Sequence, residues 1–381
     1  MIPGKADFLE LRREIKRKGY NQKTPWGIFA EWLSFICMLV AGLSLVIFGE
    51  AWWMKVVAML LVNFASMGIA TNAHTASHHA ISHRKWLNDF FLYFGYPFCH
   101  QVSANFWRHK HLVVHHPHPN VVGVDNDANL APYFALNEAE YAQAKGLQRW
   151  WYRNQAFFVP FLLVLNFFIV SIRAWLFLLR RLADPKYRDA SHWMDLVALL
   201  LHLVVWIIVP LMIFNPIDVL MFTFVRFSLM SYMMFALFAP AHYPADAKLV
   251  DKAALGNNFL MLQTLTTINY RTGPIGRLLC GGVEFQIEHH LFPTVSPRHY
   301  PKMSFNVKAF CDQHGYPYRS ESWGKAIWLS LLTFWRPKSI GAGLPAPIRA
   351  DGREHACIEQ HHAESARIVA TNIGVSVGAR E

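Results

Sequence analysis

Residues 56–79 read VVAMLLVNFASMGIATNAHTASHH. Val56–Ala73 carries no charge and spans about 18 residues, the length a helix needs to cross the hydrocarbon of a bilayer. Histidines begin where it stops. His74 and His78, four apart, project from one face of a helix, and His79 is turned from His78 by about 100°. Two further clusters follow, His111-Leu-Val-Val-His115-His116 and Gln286-Ile-Glu-His289-His290. A single pair at a helix end reads as a cap or a hydrogen-bonded core histidine. Three clusters offering eight imidazoles can enclose more than one metal ion.

Three more runs reach membrane length: about Trp32–Gly49, Leu196–Phe214 and Val219–Ala241, the last holding one charge, Arg226. With 54% hydrophobic, 15% aromatic and only 16% charged residues, the chain has the composition of a membrane protein rather than of linked soluble domains. A net charge of +11 could suggest nucleic acid, but its distribution excludes that partner. Of 36 Lys and Arg, only Lys55 and Arg226 fall within or beside the two hairpins; 7 precede Trp32, 12 lie between the hairpins and 15 follow Ala241. The positive-inside rule then puts both termini and the central loop in the cytoplasm. A fifth apolar run, Gln155–Ile172, has Arg149 and Arg153 on one flank, Arg173, Arg180 and Arg181 on the other, and Pro160 inside. It is expected to lie in or dip into the cytoplasmic interface, as is Asp89–Phe98. Were it to cross, the second and third clusters would face opposite sides. The expected fold is an all-α membrane protein with four transmembrane helices in two hairpins (spans about 32–49, 56–73, 196–214 and 219–241), capped by a cytoplasmic helical region that holds the histidines.

Residues 1–27 form a basic segment in which Phe8, Leu11 and Ile15 share one helical face, suited to a lipid interface or to a solvated basic helix. Residues 28–338 make the membrane domain. From Ser339 to Glu381 the chain reads as a flexible polar tail, and its His355, His361 and His362 have nothing to hold them. The five cysteines, Cys37, Cys99, Cys280, Cys311 and Cys357, form no CxxC pair, so neither a disulfide framework nor a zinc ribbon is indicated. No targeting signal is evident, which favours a bacterial inner membrane.

On an α-helix, His111 and His115 of HxxxHH would share one ion while His116 swings towards a second. His74 and His78 repeat the same-face pair, and the adjacent His289 and His290 would serve one ion each. Imidazole suits Fe, Zn, Cu and Ni, so ligand type alone does not select the metal. Two other readings compete: a membrane zinc hydrolase, which needs fewer histidines, and a b-type haem carrier, whose histidines would face each other within the spans.

HxxxH, HxxxHH and QxxHH, in this order around two hairpins, resemble the membrane fatty acid desaturase family. The strings Trp107-Arg108-His109-Lys110-His111, His115-His116-Pro-His-Pro-Asn120 and Gln286-Ile-Glu-His-His-Leu-Phe-Pro293 are similar to acyl desaturases of the linoleoyl-CoA and front-end type. The resemblance covers roughly residues 8–335. It implies a di-iron centre, two non-haem Fe ions bound by His74, His78, His111, His115, His116, His289 and His290, with His242 as a further ligand. It also implies O2 as oxidant and desaturation of an acyl chain carried on CoA, an acyl carrier protein or a lipid. Gln286 stands where many members have histidine and is the candidate catalytic residue, expected to act through a water or by orienting a neighbour. Thr75 and His79 depart from the Asp and Gly common in the first box; of His78 and His79, His78 is the preferred ligand. No HPGG haem motif is present, so electrons are expected from a separate ferredoxin or cytochrome b5-type donor. A hydroxylase or acetylenase on the same scaffold is the nearest alternative. Asn120, Asp125 and Asp127, after the second box, are candidates to hydrogen-bond its ligands or to bind a substrate head group, with a solvated loop as the alternative. Glu284 and Glu288 are candidates to orient the third box, Glu288 equally to face solvent; Asn269 is a candidate support, and Trp107 a candidate to line an acyl tunnel. His83, His100, His109 and His118 are read as structural.

Overall fold

The computed structural model describes residues 4–254 and 258–345. The chain is mostly helical, and five helical stretches are long and apolar enough to cross a membrane. α1 (Lys5–Arg17) precedes a tight hairpin of α2 (Pro25–Phe48) and α3 (Trp52–Ser77). The hairpin closes because Gly68 lets α3 approach α2: a Cβ at Gly68 would lie 2.2 Å from the ring of Phe35. α3 is the inner helix, with 61% of its apolar window buried against 17% for α2. Its polar residues are satisfied within the helix, Asn72 donating to Gly68 O and Thr75 to Thr71 O.

α4 (Lys85–Tyr93) runs into a π-helical segment, Phe94–Cys99, and α5 (Ala104–Trp107) into a second, Arg108–His115. After α6 (Glu138–Gln143), α7 (Gly146–Leu162) and α8 (Asn166–Ala183) form one long stretch broken by a 3-10 turn at Leu163–Leu165, just beyond Pro160. α9 (Ala190–Leu203) continues through the π-helical Val204–Ile208 into α10 (Val209–Ile213), and α11 (Pro216–His242) returns. The return is set by Asn215, whose side chain accepts the Ile217 N–H, with Pro216 at the first helical position.

Ionisable groups among the spans are costly unless partnered, and here they are partnered inside the bundle. Arg226 donates to Cys99 O and lies over the Trp206 ring, while His202 Nδ1–H donates to Phe98 O at 2.7 Å.

The cap follows: α12 (Phe259–Thr266), α13 (Pro274–Cys280), α14 (Gln286–Leu291), α15 (Tyr300–His314) and α16 (Trp323–Trp335). Two short parallel strand pairs tie it together, β1 (Leu249–Val250) with β4 (Ile340–Gly341) and β2 (Asn269–Arg271) with β3 (Ser320–Ser322). Two sequence expectations change here. The apolar face of α1 goes neither to lipid nor to water: Leu11 and Ile15 are buried with Ile287, Leu291 and Tyr300 of the cap. The chain also stays ordered past Ser339, since β4 pairs with β1. The remainder of the expected tail, from residue 346 with His355, Cys357, His361 and His362, lies outside the described residues.

Candidate metal centre

The histidines arrive at the ends of elements. α3 brings His74 on its last turn and ends against His78. The second cluster closes a π-turn, in which His116 N–H donates to His111 O at 2.9 Å, an i→i+5 bond. α11 ends on His242 and α14 carries His289 and His290. All eight side chains are buried.

They sort into two groups. His74, His78, His111 and His289 place ligand nitrogens within 4.8 Å of one another, and His115, His242 and His290 do the same. His116 stands between: its Nε2 is 3.2 Å from His111 Nε2 and 3.0 Å from His289 Nε2, and its ring stacks on His290. An α-helix would pair His111 with His115 and turn His116 away. The structure separates His111 from His115 and joins it to His116, because the wider π-turn brings the fifth residue into register. Of His78 and His79, only His78 enters a group; His79 leaves the helix with a left-handed φ of 53°.

The residues fit metal ions. His74 Nε2 and His111 Nε2 are 2.7 Å apart. Nε2 of His78, Nε2 of His290 and Nδ1 of His242 are buried without a hydrogen-bond partner, a costly state for polar atoms that nothing else will meet. Burial and the neighbouring imidazoles hold His111, His116, His289 and His290 well below the ordinary histidine range. They are therefore neutral, each with a lone pair to give. α3 and α11 also direct their C-terminal ends at the centre, and the partial negative charge there favours a cation.

A second ring of side chains fixes the tautomers. Asp125 Oδ2 accepts from His115 Nδ1–H at 3.0 Å and is itself held by the backbone N–H of Asn120, while Oδ1 takes that of Asp127. Burial lowers the pKa of His115, yet the charge and hydrogen bond of Asp125 outweigh it and the net shift is upward. Gln263 Oε1 accepts from His290 Nδ1–H at 2.8 Å, and its Nε2 donates to His116 O at 3.0 Å. Both arrangements leave Nε2 facing inward, as metal-binding histidines require. Gln286 Nε2 lies 2.9 Å from His242 Nε2. Asn269 seats the third box, accepting Ile287 N–H and donating to Glu288, which also accepts from Tyr318 OH. Glu288 does not face solvent; burial pushes its carboxyl up to about 7. Asp127 instead pairs with Lys110. Gln263 escaped the sequence reading, although a lone amide in the apolar run FLMLQTLT was a signal.

Outside the groups, His100 donates to Gly95 O, His118 Nδ1 bonds Val114 O and His109 stacks on Phe177. A narrow apolar cavity adjoins the first group, lined in part by Met67, Tyr96, Phe167, Met230 and Phe238, with Trp107 as its wall. The Trp107 ring is 4.9 Å from His111 and 6.1 Å from His74.

The chain is similar to known proteins over most of its length. The fatty acid desaturase family model matches residues 50–322. The chain is 27% identical to the Delta(5) fatty acid desaturase fat-4 of Caenorhabditis elegans over 90% of its own length and 76% of that protein. It is 24% identical to an sn-1 linoleoyl-lipid 6-desaturase of Arthrospira platensis, over 74% of this chain and 78% of the relative. An acyl-lipid (8-3)-desaturase of Mortierella alpina shares 28%, over 80% and 70% respectively. A family match across more than half of the chain agrees with the order and convergence of its histidines: the chain belongs to the fatty acid desaturase family.

Proposed function

We propose that this membrane oxidoreductase is an O2-dependent acyl desaturase, with two irons held one by His74, His78, His111 and His289 and the other by His115, His242 and His290, and His116 beside both. The observation that carries this reading is the pair of buried, mutually facing imidazole groups beside an apolar cavity. When bound, two irons with O2 supply an oxidant strong enough for an unactivated C–H bond; –CH2–CH2– with O2, two electrons and two protons gives –CH=CH– and two waters. The chain's own part is positioning. Trp107 and Phe238 wall the cavity where an acyl chain would pass the histidines, and apolar lining keeps water out. Asp125 and Gln263 keep the protons of His115 and His290 on Nδ1. Gln286 holds its amide against His242.

A ferredoxin or cytochrome b5-type donor would supply the electrons. Two relatives are named for lipid-linked acyl chains, which favours a lipid carrier over CoA or an acyl carrier protein. Four of the five apolar stretches would cross, α2 with α3 and α9–α10 with α11, leaving α7–α8 at the interface. The basic loops support a cytoplasmic centre in a bacterial inner membrane.

The test is metal content and optical spectrum of the detergent-purified protein, wild type beside His115→Ala, followed by product mass spectrometry. Two irons per chain, loss of iron in the variant and an unsaturated product are expected. Zinc alone after iron-replete expression, or a haem spectrum, would sink the reading. A hydroxylated product would keep the centre and change the reaction.

A further inference from the structure

Two lysines outside the histidine boxes, one from each end of the chain, reach carbonyls beside the histidines. Lys338 lies in the segment that returns across the cap after α16. Its N–H donates to Leu136 O, its carbonyl accepts Glu138 N–H, and β4 begins two residues later. Its ammonium is buried and donates to His242 O at 3.0 Å and Ala247 O at 2.6 Å. Among the described residues it forms no ion pair. Lys23, just ahead of α2, donates to His79 O at 2.7 Å and Thr294 O at 2.5 Å. It thereby ties the end of the first box to the segment after the third.

Both lysines stand at the C-terminal ends of the helices that deliver histidines. His242 O is the last carbonyl of α11, and His79 follows the cap of α3. Helix C-termini leave carbonyls unpaired and carry partial negative charge, so an ammonium there meets both needs. Lys338 has the stronger hold because it is enclosed: without it His242 O would keep one donor, Asn120 Nδ2 at 2.8 Å, and Ala247 O only a 3.5 Å contact with the same amide. Lys23 is partly exposed, and water can take over some of its role.

We infer that Lys338 and Lys23 are positioning residues, each fixing one half of the metal centre: Lys338 through His242 for the His115/His242/His290 group, and Lys23 through the His78 and His289 side. This rests on the dinuclear reading above.

Iron content after dialysis against a graded chelator separates the halves. Lys338→Met is expected to weaken one of the two sites 10- to 100-fold, as loss of a supporting contact does, and to fall to about half the wild-type iron. Adding His290→Ala should then change nothing, while adding His78→Ala should remove the rest. Lys338→Arg, which can still donate to both carbonyls, should restore wild-type iron. Lys23→Met should give a smaller loss, from the other half. Wild-type iron in Lys338→Met overturns the inference, as does loss of both halves together with a lowered melting temperature. A wild type holding fewer than two irons would sink the dinuclear reading rather than the clamp. Hydrogen exchange of the metal-free protein then decides: faster exchange over residues 242–249 in Lys338→Met, with 71–79 unchanged, supports it, and unchanged exchange overturns it.

Discussion

Asp125 and Gln263 perform one task with different chemistry. Each accepts a histidine Nδ1–H in the second group, but only Asp125 brings a charge, and only His115 is shifted upward. Asp125→Asn keeps the shape and removes the charge, so it should lower affinity for one iron by about 10- to 100-fold while leaving the helical circular dichroism intact. Iron retained at wild-type level through dialysis would show that orientation alone suffices. Glu284 offers a test away from the histidines. It is buried, accepts Gly282 N–H at 3.1 Å and stands 3.8 Å from Arg277. Burial pushes its carboxyl up to about 7, and Arg277 only partly opposes this. The folded protein therefore keeps a proton that the unfolded chain releases near its ordinary value of 4.5. Its contribution favours folding most at and below that pH, declines as pH rises to about 7, and is level above. Glu284→Gln should flatten this limb, a difference on the order of 3 kcal/mol at most. Melts of metal-free protein at both ends of that window would measure it. At this scale the sequence was legible where chemistry clusters: the box histidines stood out by spacing, while Asp125 was one of several polar candidates after the second box. Gln263, Lys23 and Lys338 did not stand out, because their roles come from contacts 27 or more residues away in the chain.

The second box shows where spacing misleads. HxxxHH suggests an α-helix, and nothing within RHKHLVVH, neither Pro nor Gly, announces a π-turn. The cause lies at its two ends. Asp195 of α9 grips the start of α5 through Ser103 Oγ and the N–H groups of Ala104 and Asn105, while Asp125 grips His115. Between fixed ends the extra residue is taken up as a wider turn, and that turn deals His111 and His115 to different groups. Deleting Val113, which is half-exposed and in neither group, would let the segment close as an α-helix and rotate His115 and His116 by about 100°. We expect that variant to lose iron from both halves, whereas Val113→Ala should keep both. Iron retained in the deletion would mean that the π-turn is incidental. α1 carries the same lesson in milder form: its amphipathic pattern was plain, but a single chain does not reveal whether lipid, water or the cap meets the apolar face.

For the whole molecule, convergence of the histidines constrains the path of the chain. His74 and His78 close α3, His242 closes α11, and both ends meet in one centre. The chain must therefore cross the membrane an even number of times between them. If α9–α10 and α11 form one out-and-back pair, as proposed, a single crossing by α7–α8 would leave His242 on the wrong face. Hydropathy alone does not see this, since α7–α8 is as apolar as its neighbours, with a mean hydropathy of 2.3 against 2.1 for α2. Local structure agrees with the parity. The stretch breaks at Leu163–Leu165, and Gln155 of α7 bonds Ala135 and Phe334, residues tied to the cap. Single cysteines read out by a membrane-impermeant thiol reagent in oriented vesicles would test it. Positions 21, 50, 186 and 215 lie before α2, after α2, after α8 and before α11. We expect 21 and 186 to label from one side and 50 and 215 from the other. Were 186 to label together with 50, α7–α8 would cross; α9–α10 and α11 could then not both cross, and the four-span hairpin arrangement would have to be redrawn around the same metal centre.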